Sequence, residues 1–263
     1  MKRSIRCAAC ALLALSLAPV AHAGDELYLR WDNCIGDGGA YNKTFACDTN
    51  SGFEVLVGSF RLAQTTDTVT TLETVVDLAP LGMTLPSWWQ YVETGSCRLN
   101  SLTMSLVPPL TANTCVDHWS TNSAAGGRTY EFSNFANTQA RLRMVQAVPA
   151  GFGFTVPAGE EAFAFRVRID HAKTVGPSAC GGCSVPMCIG WGQAVLHFGS
   201  LGTDQILGAA TPDHGSNVTW QTGVVATTGG ICPHNRPCES WVLCQAVTRT
   251  RTSTWGAIQS LYR

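Results

Sequence analysis

The sequence predicts an all-β fold, an antiparallel β-sandwich of jelly-roll or immunoglobulin-like topology that is stapled by disulfide bonds. Three observations support this fold class. Several segments alternate apolar and polar residues with the two-residue period of a strand that has one buried face. No window of about 12 residues carries the apolar stripe of an amphipathic helix. The 26 glycines, 12 prolines and 12 cysteines among 263 residues favour turns and disulfide-closed loops.

Composition excludes several classes of protein. With 45% hydrophobic residues, the chain is too apolar to be intrinsically disordered. Its formal net charge is −1, whereas a dedicated nucleic-acid-binding protein carries a basic excess. We therefore expect no nucleic acid among its partners.

The first 23 residues have the pattern of a secretory signal peptide. Three basic residues precede an apolar run, residues 7–20, that is too short to span a bilayer, and residues 21–23 match a small-x-small cleavage site. We expect residues 24–263 to form one sandwich domain that is secreted, periplasmic or at the cell surface, without a transmembrane anchor. Cleavage would leave 14 Lys and Arg against 18 Asp and Glu, a net charge of −4.

Alternation locates the strands. Residues 162–170 form the clearest one, with apolar side chains at every second position and Arg166 and Arg168 between them. Residues 140–148, with Arg141 and Arg143, and residues 99–107 repeat the pattern. Seven further segments rich in β-branched and aromatic residues bring the total to about ten strands: 26–31, 53–62, 71–78, 129–132, 193–198, 217–225 and 241–247.

The cysteines predict a disulfide framework. Ten remain after the expected cleavage, and an even number in an exported chain indicates pairing; they are Cys34, Cys47, Cys97, Cys115, Cys180, Cys183, Cys188, Cys232, Cys238 and Cys244. Sequence proximity predicts Cys34–Cys47, Cys97–Cys115 and Cys232–Cys238, one bridge within the group 180–188, and Cys244 tied to the remaining member of that group.

The spacing Cys180-Gly-Gly-Cys183 also occurs in thiol oxidoreductases, where a helix N-terminus lowers the pKa of the first thiol. No helix is predicted after this segment. A structural disulfide is therefore favoured over redox catalysis, and an oxidising compartment argues against the other alternative, a zinc site.

Two sets of residues are candidates for binding. Trp88, Trp89 and Tyr91 follow Pro86 in a turn, and adjacent tryptophans do not easily share one buried strand face, so we expect an exposed ring that contacts sugar or protein. The alternative is that both tryptophans cap the ends of the core.

The second set is Arg141, Arg143, Arg166 and Arg168. If their two strands pair, these residues form one basic patch, suited to an anionic glycan, lipopolysaccharide or an acidic partner protein. The alternative is a solvated face whose charges prevent edge-to-edge pairing.

No cofactor is expected, with calcium as the one candidate. Asp32, Asp37, Asp48 and Asn50 lie in two loops rich in turn residues, but residue 59, the twelfth position of an EF-hand loop begun at Asp48, is serine instead of glutamate. Turn formation explains these residues equally well.

Catalytic signals are weak. The chain lacks Gly-x-Ser-x-Gly and Ser-x-x-Lys motifs. Paired carboxylates of a glycosidase are defined by their separation in space, which a sequence does not contain; the candidates are Glu54, Glu73, Glu93, Glu131, Glu160 and Glu161.

Seven segments carry a resemblance: NKTFACDTNSG from residue 42, LVGSF from 56, WWQY from 88, SCR from 96, TVGPSACGGC from 174, NVTWQ from 217 and TWGAIQSLYR from 254. They resemble an uncharacterised group of exported, cysteine-rich bacterial proteins, which implies an exported β-rich module and no particular activity. The phrase VPAGEEAFAFRVRI is similar to cohesin-type and carbohydrate-binding sandwiches at the level of architecture alone.

Together these features predict an exported, non-catalytic structural or binding module at or beyond the cell surface. Its expected partner is an extracellular glycan, an anionic surface polymer or a surface protein. The alternative is a carbohydrate-active enzyme, a glycoside hydrolase or lyase that uses paired carboxylates.

Overall fold

The computed structural model describes residues 24–82, 84–91, 95–132, 139–199, 204–208, 215–227 and 242–245. The expected signal peptide, residues 1–23, lies outside them. The described strands are β1 (Glu26–Trp31), β2 (Asn42–Lys43), β3 (Phe53–Arg61), β4 (Thr66–Pro80), β5 (Leu102–Ser105), β6 (Ala125–Phe132), β7 (Ala140–Ala147), β8 (Phe154–Val156), β9 (Ala162–Asp170), β10 (Met187–Phe198), β11 (Gln205–Gly208), β12 (Asn217–Trp220), β13 (Val224–Thr227) and β14 (Val242–Gln245). Two 3-10 helices, Ser87–Trp89 and Ser120–Asn122, complete the elements.

Two sheets pack together, which confirms the predicted antiparallel sandwich. The four-stranded sheet has the order β1-β3-β9-β5, and all its pairings are antiparallel. The eight-stranded sheet has the order β2-β12-β10-β4-β7-β6, with β11 paired to β10 and β8 to β4. Its β12–β2 pairing is parallel. Strands β13 and β14 form a separate antiparallel pair.

Most predicted strands are present, but their bounds differ. Strands β1 and β9 match the prediction, whereas β4 and β10 begin several residues earlier. The segment predicted as one strand over 217–225 is divided by a turn at Gln221 and Thr222, both with positive φ angles, so it contributes to both β12 and β13. The short strands β2, β8 and β11 carry too few residues to show a period.

The four-stranded sheet buries the apolar side of β9 against the other sheet. Phe163, Phe165, Val167 and Ile169 are all buried, as the alternation predicts. Phe165 stands opposite Gly58 on β3, and a Cβ atom at Gly58 would lie 2.4 Å from Cε1 of the Phe165 ring. Only glycine leaves room for that ring.

Disulfides staple the sandwich as predicted, but the pairing differs. The bonds are Cys34–Cys115, Cys47–Cys183 and Cys97–Cys180. The predicted Cys34–Cys47 bond, the Cys97–Cys115 bond and the bond within the group 180–188 are therefore wrong, because Cys180 and Cys183 both pair outside that group. Sheet pairing brings together loops that are distant along the chain, so nearness in sequence is a poor guide here.

Each bridge closes a sequence separation of 81 residues or more. Cys188 is also disulfide-bonded. The predicted bonds of Cys232, Cys238 and Cys244 involve side chains outside the described part of the chain and stay predictions. Several disulfides in one chain are typical of an extracytoplasmic protein. In the part of the chain that the structure describes, no helix has the length and apolar character needed to cross a membrane.

Candidate functional site

The four candidate arginines do not form one patch. Arg141 and Arg143 lie on β7, between β4 and β6 of the eight-stranded sheet. Arg166 and Arg168 lie on β9, between β3 and β5 of the four-stranded sheet. The two strands belong to different sheets, so the expectation of a single basic surface is wrong.

The β7 arginines are paired with acidic residues. Arg141 is buried, and its Nε and Nη2 atoms donate to the two carboxylate oxygens of Asp77 at 2.7 and 3.0 Å. Arg143 is exposed, with its Nε 3.6 Å from an oxygen of Glu131. Arg141 thus forms a buried, structural ion pair, and Arg143 forms a surface ion pair.

The β9 arginines line a shallow groove of about 230 Å³ on the outer face of the four-stranded sheet. The groove is lined by Phe53 and Val55 of β3, Thr103 and Ser105 of β5, and Arg166 and Arg168 of β9. We call this surface the β9 groove. It combines two guanidinium groups, two hydroxyls and an aromatic ring that is 47% exposed.

Each arginine of the β9 groove is held in place by its neighbours. The Arg168 guanidinium lies over the ring of Phe53, 4.0 Å from its centroid, and its Nε donates to Asp170 at 2.8 Å. Arg166 donates to the hydroxyl of Ser105 at 3.2 Å and to the carbonyl of Pro108 at 3.3 Å. Both side chains are therefore preorganised before any ligand arrives.

Strand register determines which charges flank these arginines. Arg166 stands opposite Val57 and Ser105, and Arg168 stands opposite Val55 and Thr103. Neither neighbouring strand places an acidic side chain directly across from them. On β7, Arg141 stands between Asp77 and Glu131, whereas Arg143 stands opposite Val75 and Thr129.

The alternation of the sequence identifies the two arginines of the groove but not its other four lining residues. Phe53 and Val55 occupy alternate positions at the start of a predicted strand. That spacing places them on one face but does not show that the face is the outer one.

The predicted aromatic binding set is buried. Trp88, Trp89 and Tyr91 each have 0% exposure, so the expectation of an exposed tryptophan is wrong. Both tryptophans lie in the 3-10 helix Ser87–Trp89, whose successive side chains do not alternate between two faces as in a strand. The whole turn inserts into the core, and Trp88, Trp89 and Trp220 pack together with centroid distances of 5.1 to 5.5 Å.

A buried arginine lies beside this aromatic cluster. The Arg98 guanidinium carbon is 3.5 Å from the centroid of Trp88, and its nitrogens donate to the carbonyls of Trp88 and Asp170. Burial lowers the pKa of Arg98, although the nearby Tyr91 and Asp170 oppose that change. Burial also raises the pKa values of Tyr91 and Tyr130 well above the ordinary tyrosine value. The cluster is enclosed, so it supports the fold rather than a surface site.

The calcium candidates have protein partners in separate places. Asp32 binds Lys43 at 2.8 Å, Asp37 accepts the backbone N–H groups of Asn113 and Thr114, and Asn50 accepts those of Thr174 and Val175. Asp48 is exposed.

Among the described residues, one group of three potential His, Cys, Asp or Glu ligands lies within 4.8 Å, and it is Cys34, Asp37 and Cys115. Its two cysteines are bonded to each other. The candidates thus act as turn and loop anchors in the structure.

The glutamate candidates for catalysis are engaged in several different places. Glu54 lies between His171 and Lys43, and Glu160 contacts His118 at 2.7 Å. Glu161 is buried and accepts from the hydroxyl of Ser59 at 2.6 Å and from two backbone N–H groups of the loop after β1. These contacts are those of structural carboxylates.

The other glutamates have separate contacts. Glu73 lies 3.3 Å from His197, and Glu131 contacts Arg143. Glu93 lies outside the described residues.

A second cavity of about 480 Å³ is polar and lacks basic side chains in its lining. Its lining includes the carboxylates of Asp25 and Asp204, the amide of Gln205 and the hydroxyl of Thr66. Gln205 donates to Asp25 at 2.8 Å, and Asp204 contacts His197 at 2.8 Å. The charge of this cavity is thus opposite to that of the β9 groove.

Comparisons add no known relative to this picture. No family model, curated protein or solved structure matches the chain.

Proposed function

We propose that this protein is an exported, non-catalytic binding module that recognises an anionic surface polymer, such as an acidic glycan, through the β9 groove. The observation that carries the proposal is the composition of the β9 groove. It brings Arg166 and Arg168 together on one open surface with hydroxyl and apolar side chains and with no acidic side chain in its lining.

The groove has the chemistry that such a ligand needs. Arginine forks donate paired hydrogen bonds to carboxylate, sulfate or phosphate groups. The half-exposed ring of Phe53, which Arg168 covers on one face, adds apolar surface for a sugar ring, and the hydroxyls of Thr103 and Ser105 can both donate and accept. Asp170 takes one N–H of Arg168, which leaves the remaining guanidinium donors for a ligand.

Two further features support the proposed export of the protein. The disulfide framework is typical of an oxidising compartment, and the first 23 residues have the composition of an export signal. An anionic polymer at the cell surface is within reach of a protein with that address.

Retention on a heparin column tests this function, because heparin is an available polyanion. We expect Arg168→Ala to elute at lower salt than the unmodified protein. Arg143→Ala is the matched control, since the two arginine side chains are 49% and 47% exposed and each lies beside one carboxylate. Equal elution of the two variants would show that net charge, and not the β9 groove, causes retention.

The second candidate function is a carbohydrate-active enzyme, and the observation that favours it is the polar cavity lined by Asp25 and Asp204. Two carboxylates in one cavity are the minimum that glycoside hydrolysis needs. Turnover of a polysaccharide panel that is lost in Asp204→Asn would support it. Binding without product would favour the module.

A further inference from the structure

An apolar loop projects from the sheet edge beside the β9 groove. We call residues 106–115, which follow β5, the edge loop. Leu110 at its tip is 100% exposed and Val107 is 51% exposed. A large aliphatic side chain is less favourable wholly in water than buried.

The edge loop is anchored at several points. Asn33 donates to the carbonyl of Thr111 at 3.1 Å, and Asp37 accepts the N–H groups of Asn113 and Thr114 at 2.9 and 3.1 Å. The Cys34–Cys115 disulfide fixes its end. The exposure of Leu110 is therefore a feature of a fixed loop.

The edge loop is also joined to the β9 groove. Arg166 lines the groove and donates to the carbonyl of Pro108 within the loop. Val107 follows Ser105, another lining residue, by two positions. One continuous surface thus presents guanidinium groups beside aliphatic side chains.

We propose that the ligand of the β9 groove is a lipid layer with anionic headgroups. Arg166 and Arg168 bind the headgroup acids, and the edge loop inserts Leu110 and Val107 into the acyl boundary. This inference rests on the anion site of the proposed function and takes a lipid surface, instead of a polysaccharide, as the anionic surface that the site binds. Charge complementarity favours an anionic ligand, and the fully exposed Leu110 favours a lipid surface over a soluble polysaccharide, because a polysaccharide offers no apolar phase to a leucine.

Sedimentation with vesicles tests the inference. The probes are vesicles of phosphatidylcholine alone and vesicles of phosphatidylcholine with phosphatidylglycerol, which is anionic. We expect the protein to bind the anionic vesicles selectively and Leu110→Ser to weaken that binding about tenfold, as for the loss of one buried leucine side chain.

Phe152→Ser, which alters a 55% exposed side chain between β7 and β8, should bind as the unmodified protein does. Because Leu110 is fully exposed, Leu110→Ser should keep the thermal unfolding midpoint and the retention on heparin. A Leu110→Ser variant with unchanged vesicle binding would overturn the inference. So would equal binding to both kinds of vesicle.

The outcomes separate the inference from the proposed function. If Arg168→Ala weakens retention on heparin but the protein ignores anionic vesicles, the anion site stands and the lipid inference fails. If Arg168→Ala changes neither heparin retention nor vesicle binding, the proposed function itself fails, and the lipid inference fails with it.

Discussion

Strands β7 and β9 carry nearly the same sequence pattern, but their arginines lie in different surroundings. Each alternates apolar residues with two arginines, and each buries its apolar side. On β7, Arg141 stands between two acids and is buried with Asp77, whereas Arg143 forms a surface ion pair with Glu131. On β9 the arginines meet valines and hydroxyl residues and line an open groove.

The difference between Arg141 and the β9 arginines shows that cross-strand neighbours help to decide what a charged side chain does. A buried guanidinium that is paired with a carboxylate contributes to the fold, since loss of one partner removes a buried ion pair. A half-exposed guanidinium in a groove, such as that of Arg168, keeps donors for a ligand although its Nε contacts Asp170. Substitution of Arg141 on β7 should therefore reduce stability, whereas substitution of Arg168 on β9 should reduce ligand binding.

The largest expected effect is on stability at β7. Arg141→Ala leaves the buried Asp77 carboxylate without this partner, and we expect a loss of about 3–5 kcal/mol in the free energy of unfolding. Arg168→Ala should change it by about 0.5 kcal/mol or less. Guanidinium chloride denaturation measures both values. Equal losses would remove the distinction between the two strands.

The second prediction concerns the packing of the buried face of the four-stranded sheet. Gly58→Ala pushes a Cβ atom into the Phe165 ring on the buried face, and we expect a cost of about 1–3 kcal/mol in the same denaturation experiment. The control is Gly127→Ala on β6, where a Cβ atom would meet nothing within 4 Å. A Gly58→Ala protein as stable as the control would show that the ring can move aside.

The third prediction concerns Tyr130, a buried tyrosine close to Arg98. Burial raises the pKa of Tyr130, so the folded state keeps that proton when the unfolded state loses it. Stability from this tyrosine is complete below about pH 10 and is lost as the pH rises further. The free energy of unfolding should fall above that pH.

Tyr130→Phe provides the check. It removes the hydrogen bond to the carbonyl of Trp89 and also the titrating group. The variant should be less stable at neutral pH and should lose stability less steeply above about pH 10. Parallel curves for the two proteins would contradict the assigned direction of the pKa shift.

Much of the fold was predictable from the sequence. The bounds of β1 and β9 and the burial of Phe163, Phe165 and Val167 follow from a strict two-residue period, which needs no knowledge of neighbours. Short strands such as β2 and β8 leave no period to detect. Strand order and disulfide pairing depend on contacts between distant segments, which is why Cys34 was predicted with Cys47 and is bonded to Cys115.

The candidate site was predictable in part. Alternation placed Arg166 and Arg168 on one face, but only the register with β3 and β5 shows what surrounds them. The tryptophan pair was misjudged because a 3-10 turn was treated with the geometry of a strand. The full exposure of Leu110 has no signature in the sequence, since exposure depends on the whole fold.

The central claim is that an anionic ligand binds at the β9 groove and not through the charge of the whole molecule. The most direct test is the Kd of a heparin fragment, measured by calorimetry for Arg168→Glu and Arg143→Glu at the same ionic strength. We expect Arg168→Glu to weaken binding about tenfold or more and Arg143→Glu about twofold or less, because Arg168 lines the groove and Arg143 does not. Equal weakening by the two charge reversals would contradict the claim.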